Sequence, residues 1–165
     1  MRDKKLEARF LNEVLPHRKI ILKVCHQYTN NQNDFNDLFQ EILFQTWKSF
    51  PKFRGESKVS TWVYRIALNT ALYFLRREKR KITTTNLISD CFSVPDESDI
   101  LKEQAEVLKQ MIAQLSEIEK AIILLHLDEF SNDEIASIIG ISKTNTATRL
   151  SRIKQKLIKK YQNGF

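Results

Sequence analysis

Residues 131–157, SNDEIASIIGISKTNTATRLSRIKQKL, admit few folds. Ser131 is followed three residues later by Glu134, the spacing of a capping box, in which the hydroxyl and the carboxylate each satisfy an open backbone N–H. Ile135, Ala136, Ile138 and Ile139 give the next stretch one apolar face. Gly140 then stands where a helix end calls for a left-handed residue, and Ser142 can cap a second helix. On that second helix Thr146, Leu150, Ile153 and Leu157 share one side. Thr144, Asn145, Thr148, Arg152 and Gln155 share the other, with Arg149 and Lys156 beside them. From Ser142 onward there are seven Lys or Arg and no acid. A helix anchored on one side and polar, then basic, on the other suits the major groove: short donors reach base edges and cations reach phosphates. The alternative is a helical hairpin whose charges are only solvated.

Only three Gly and three Pro interrupt 165 residues, and helix formers abound, so the expected fold is all-α. The net charge of +7 suits an anionic partner. By itself it fits DNA, RNA or an acidic membrane surface equally. Cys25 and Cys91 are too few and isolated for a disulfide framework or zinc site, which points to a reduced, cytoplasmic protein. The start, MRDKKLEARF, lacks the apolar segment of a signal peptide. The longest near-apolar run, 121–127, is too short to span a bilayer. His17 and His26 lack ligand-like neighbours; no metal or cofactor is expected. No nucleophile–base pair or phosphate loop suggests an enzyme or a small-molecule substrate.

Residues 6–28 read as two helical pieces meeting near Pro16, followed by a polar loop, 29–33. Asn33 or Asp34 is expected to start a helix to about Phe50, with Phe35, Leu38, Phe39, Ile42, Leu43, Thr46 and Phe50 buried. Its opposite face carries Asp37, Gln40, Glu41 and Lys48 around Phe44. That face is either a docking spot for a protein or an ordinary solvated surface. After PKFRG (51–55), Ser60 is a candidate cap for a helix from Thr61 to about Lys81. Val59, Val63, Ile66, Ala67, Thr70 and Phe74 line one side, and Tyr64, Leu68, Ala71 and Leu75 a second. A helix apolar over most of its circumference packs on several neighbours. The remaining stripe holds Thr61, Arg65, Asn69 and Arg76, with Trp62 at its margin, Lys58 just before it, and RREKRK at the end. Rings, small polar groups and cations suit unpaired nucleic acid. The alternative is a central helix with Trp62 in the core.

Residues 82–100 lose the helical pattern and read as a flexible linker between two small helical domains, 1–81 and 101–165. Fully extended it reaches roughly 60 Å. Its second half is acidic (Asp90, Asp96, Glu97, Asp99), so it is either a plain tether or a thread for a basic channel. Leu101, Ala105, Leu108, Ile112 and Leu115 then recur at helical spacing. Ser116 and Glu119 form a second capping box ahead of Ile118, Ala121, Ile122 and Leu125, which makes four helices in the C-terminal domain, the last two a helix-turn-helix.

With these elements in order, the chain resembles bacterial sigma factors of the extracytoplasmic-function group. Residues 37–69, DLFQEILFQTWKSFPKFRGESKVSTWVYRIALN, look like the family's polymerase-binding and promoter-melting region. Residues 115–157 are similar to its promoter-reading C-terminal domain. The resemblance implies a transcription initiation factor that binds core RNA polymerase and promoter DNA, both duplex and single-stranded. It further implies a membrane-bound anti-sigma protein that holds the factor inactive. Asp37, Leu38, Gln40 and Glu41, with Phe44, match the helix that docks on the polymerase clamp. Lys58, Ser60, Thr61, Trp62, Tyr64, Arg65 and Asn69, extended to Arg76, match the minus-ten element's binding surface. Lys143, Thr144, Asn145, Thr148, Arg149 and Arg152, with Lys156, match the helix that reads the minus-thirty-five element. The rival reading is a stand-alone helix-turn-helix regulator, and no further C-terminal domain is visible.

Overall fold

The helical periodicities are realised as eight α-helices in the computed structural model, which describes residues 2–81 and 99–163. No strand occurs among the described residues. The expected linker, 82–100, lies outside them but for its last two residues, which begin a helix; Cys91 and the acidic side chains of that stretch lie outside the description. The chain divides into two units, Met1–Cys91 and Phe92–Phe165.

In the first unit, α1 (Arg2–Glu13) ends just before a 3-10 turn, Leu15–His17. Pro16 sits in that turn, where its missing N–H costs no helical hydrogen bond. α2 (Arg18–Tyr28) stops at Thr29, whose backbone turns extended and whose hydroxyl donates to the Cys25 carbonyl at 2.8 Å. α3 (Gln32–Ser49) starts earlier than the sequence suggests. Asn31 is its cap, accepting from the Asp34 N–H at 2.9 Å and donating its amide to the Asp34 carboxylate at 2.7 Å. After a second 3-10 turn, Phe50–Lys52, comes α4 (Val59–Lys81).

Ser60 does not cap α4. The Trp62 N–H already donates to the Lys58 carbonyl, which places Ser60 within the first turn. α4 packs on both α2 and α3, as its two apolar sides require. Val63, Tyr64, Ala67, Leu68, Ala71 and Phe74 are buried from α4, with Ile21, Val24, Cys25 and Tyr28 from α2 and Leu38, Ile42 and Thr46 from α3. Burying a Tyr, Leu or Ile side chain contributes roughly 1.5–3 kcal/mol each, so α4 is the centre of this unit's stability.

In the second unit, α5 (Asp99–Ala113) packs on α8, with Met111 and Ile112 buried. Of the residues expected at helical spacing, Ile112 and Leu115 are buried, while Ala105 and Leu108 are exposed. α6 (Glu117–Leu127) buries five consecutive residues, Ala121–Leu125, against α7 (Asn132–Ile139) and α8 (Lys143–Gln162). Both expected capping boxes form, Ser116 with Glu119 and Ser131 with Glu134. Gly140 caps α7 at φ 81°, ψ 36°, and Ser142 caps α8 by accepting from the Asn145 N–H at 3.2 Å.

A Cβ at Gly140 would touch nothing within 4 Å, so the demand there is conformational and not steric. Gly140→Ala is therefore expected to destabilise the second unit by about 1 kcal/mol, read as a lower urea midpoint with an unchanged slope.

Candidate nucleic-acid interface

α8 turns two faces to two environments. Thr146, Leu150 and Ile153 are buried on one side; Thr144, Asn145, Thr148 and Arg152 are exposed on the other, with Arg149 partly so. The exposed face is partly pre-set. Arg149 Nε donates to Asn145 Oδ1 at 3.0 Å, and the Thr148 hydroxyl donates to the Thr144 carbonyl at 3.0 Å. No acid lies in the first turn, so the positive end of the helix dipole faces outward unneutralised from within the helix.

Two of the expected phosphate-binding lysines already have partners. Lys143 Nζ meets Asp133 Oδ2 at 2.7 Å, tying α8 to the start of α7. Both side chains are about two-thirds exposed, so the pair contributes little and yields readily to a competing anion. Lys156 Nζ meets Glu119 Oε1 at 2.5 Å, and Glu119 is also the acid of the α6 capping box. Burial of Glu119 opposes its ionisation, but the donors from Lys156 and Ser116 outweigh it and hold the carboxyl below its ordinary value. Lys156 is thus a tie between α6 and α8 as well as a surface cation.

On α4 the polar stripe survives burial of everything around it. Arg65, Asn69 and Arg76 are exposed, Lys58 is exposed just before the helix, and Ser60 is half-buried. Thr61 and Tyr64 are not at the surface: Thr61 is 6% exposed and Tyr64 1%, because both point between α4 and its packing neighbours. Trp62 is half-buried and its ring leans on Phe53, centroids 4.8 Å apart, and on Phe50 at 6.1 Å. One residue of this face was not expected. Tyr73 is 67% exposed, four residues after Asn69 and three before Arg76, the spacing of one helical side. Its neighbours Leu72 and Phe74 disguised it as part of an apolar run. The exposed stripe is followed by the strongly basic end of α4, although side chains 79–81 lie outside the description.

A third surface is different in kind. Asp37, Gln40, Glu41 and Phe44 of α3 line an open groove with Phe74 and Arg77 of α4. Phe44 is 55% exposed, with the Lys48 ammonium 5.9 Å from its ring centre. Arg77 lies over Phe74 at 5.5 Å and 3.8 Å from Glu78. The basic run of α4 is therefore divided: Arg76 continues the stripe, while Arg77 walls the acidic groove. Leu38, expected both in the buried stripe and with the docking residues, is fully buried and does not line the groove. Among the described residues no group of His, Cys, Asp or Glu is arranged to hold a metal ion, and no helix is long and apolar enough to cross a membrane.

Comparison with known proteins divides the chain at the same place. The Sigma-70 region 2 family matches residues 14–81, and the Sigma-70, region 4 family matches residues 105–157. The ECF RNA polymerase sigma-E factor of Escherichia coli (strain K12) is 30% identical over 142 residues, spanning 78% of this chain and 74% of that protein. The ECF RNA polymerase sigma factor SigG of Mycobacterium tuberculosis is 28% identical over 169 residues; they cover 86% of this chain but 46% of SigG, so the chain spans about half the length of that relative. Among solved structures, the sigma factor RpoE in complex with the anti-sigma factor NepR from Bartonella quintana covers 90% of this chain and 94% of its own, with a TM-score of 0.74 at 21% identity. That likeness is one of fold.

The depressed Glu119 carboxyl gives a signed prediction. Its folded-state value lies below the unfolded one, so its stabilisation is complete above the ordinary carboxylate range and is lost as pH falls below about 4.5 through the depressed value. The melting temperature of the wild type is expected to fall more steeply across that acid range than that of Glu119→Gln, which should be lower at neutral pH and flatter. Parallel pH profiles would contradict the Lys156 tie.

Proposed function

The chain belongs to the ECF group of the sigma-70 family of RNA polymerase sigma factors, and from that premise we propose that it docks on core RNA polymerase, directs it to particular promoters and nucleates strand opening. In this role it makes no covalent change and needs no cofactor. What supports the reading is that each of the two units carries an exposed polar and basic surface, and that the two differ in chemistry. One is a capped helix with short polar groups and arginines, suited to base edges and phosphates of paired DNA. The other is a stripe of Asn69, Arg65, Arg76 and the exposed Tyr73 ring, with Lys58 and Ser60 at its start. It suits bases that have left the stack.

In this proposal Lys143, Thr144, Asn145, Thr148, Arg149, Arg152 and Lys156 engage the minus-thirty-five element as duplex. The α4 stripe, with Tyr73 added, engages the minus-ten element and its parted strand. Unpairing costs a few kcal/mol per base, and stacking with polar contacts of about 1–3 kcal/mol per base offsets it. Asp37, Gln40, Glu41 and Phe44 present an acidic rim around one exposed ring, which we assign as the face that docks on the polymerase clamp. The residues of 82–98 would link the two grips inside the polymerase. A solved relative is bound to an anti-sigma factor, and we place the same kind of partner here, with the chain at work in the cytoplasm where its polymerase is.

A stand-alone helix-turn-helix regulator would bind its site without polymerase and would have no use for the acidic groove. A basic membrane- or RNA-binding protein would ignore sequence altogether. Gel shifts on promoter DNA, with and without core polymerase, separate these: binding that requires the core is the expected result. Arg152→Ala is expected to weaken promoter binding and to reduce the slope of log K against log salt by about one unit. Asn69→Ala is expected to keep core binding and to lower permanganate reactivity of unpaired thymines; unchanged reactivity would contradict its assignment.

A further inference from the structure

α1, Arg2–Glu13, precedes the residues matched by the Sigma-70 region 2 family, which begin at Val14. Two of its side chains nevertheless reach the end of α3 and the turn that follows it. The Phe10 ring sits edge-on to Trp47, centroids 5.1 Å apart, and edge-on to Phe50 at 5.3 Å. The Arg9 guanidinium lies 5.0 Å from the centre of the same Phe50 ring, held by Glu13 at 2.7 Å. Phe50 in turn stacks on Phe53 at 6.4 Å and leans on Trp62 at 6.1 Å, and Phe53 meets Trp62 at 4.8 Å. Phe53 and Trp62 are the last ring before, and the first ring after, an exposed loop, residues 54–58.

Arg54, Gly55, Glu56, Ser57 and Lys58 are all exposed, and Gly55 has φ +74° with nothing within 4 Å of where a Cβ would stand. The rings that flank the loop, Phe53 just before it and Trp62 near the start of α4, meet in one cluster. Phe50, fully buried, is the hub of that cluster and takes contact from α1 on one face.

We propose that α1 is the buttress of the 54–58 loop: Phe10 and Arg9 fix Phe50, Phe50 fixes the Phe53–Trp62 pair, and that pair fixes the loop for capture of the parted strand. Phe10 is then a positioning residue, acting through three rings on groups it does not touch. Trp62 serves the same chain and is not a free stacking platform. The functional half rests on the reading that the loop and the start of α4 bind the minus-ten strand.

The chain has two tryptophans, so Trp47→Phe leaves Trp62 as the sole emitter. In that background Phe10→Ala is expected to raise acrylamide quenching of Trp62 and shift its emission to the red. Phe10→Tyr, which keeps the ring, should restore both. Val24→Ala, a buried α2 change outside the ring cluster, should lower the melting temperature without either effect. Arg9→Gln empties no core space and should move Trp62 in the same sense as Phe10→Ala, which keeps the test valid if Phe10→Ala unfolds. In holoenzyme on a promoter mapped from its own transcript starts, Phe10→Ala should reduce permanganate-reactive thymines roughly three- to tenfold, as the loss of one ring pair allows. Core binding should be unchanged. An unmoved Trp62 signal overturns the buttress. If Lys58→Ala impairs opening but Phe10→Ala does not, the loop reading stands and the buttress is overturned; if neither impairs opening, the loop's assignment to strand capture has failed first, and the functional half of the proposal with it.

Discussion

Everything in the first unit depends on α4 being buried along two sides while a third side stays open. Tyr64, Leu68 and Ala71 fill one seam and Val63, Ala67 and Phe74 the other, against α2 and α3. A helix gripped in this way cannot roll. Its remaining strip, Arg65, Asn69, Tyr73 and Arg76, is therefore fixed in direction by the packing of the other two sides. Closing the third side would add apolar burial of the usual 25 cal/mol per Å²; leaving it polar forgoes that stability, as a nucleic-acid-binding role of the kind proposed would require.

The second unit solves the same problem by other means. α7 is eight residues long, too short to be stable alone. Its ends carry much of what it needs: a capping box at Ser131, a left-handed glycine at 140, and a new cap at Ser142 that starts α8 at once. The turn is thus dictated locally, and the apolar contacts of Ile135, Ile138, Leu150 and Ile153 fix α8 on it. Because both rigid placements come from packing and capping within each unit, a linker of any conformation leaves the two surfaces intact.

How far the sequence could be read follows from this difference. Periodicity revealed the seams of α4 and the anchored face of α8, because those residues answer to burial alone. Caps were legible where a Ser–Glu pair announces both partners, as at 116 and 131, and misplaced where one polar residue competes with its neighbours. Asn31 outbid Asn33 and Asp34 by pairing with Asp34 from both its amide and its oxygen. Ser60 lost to Lys58 because nothing before it stops the helix from starting earlier. Periodicity also placed Leu38 and Tyr64 in the core although both fall in contact motifs, whereas Tyr73 lies in an apolar run yet is open. The aromatic cluster was illegible, since Phe10, Phe50 and Trp62 are far apart in sequence and no periodicity links them.

The acids seated on Lys143 and Lys156 have a bearing on discrimination. Each lysine brings its own counter-ion, Asp133 or Glu119, built into the chain. A polyanion that meets α8 in a poor register must displace a tethered carboxylate and gains only one phosphate in exchange, a nearly even trade. A strand whose spacing also satisfies Arg149, Arg152 and the helix start gains several contacts for the same displacement. On the proposed reading of α8 as the helix that meets paired DNA, internal competitors of this sort would lower affinity for every anion a little and filter out those that arrive with charge but without fit.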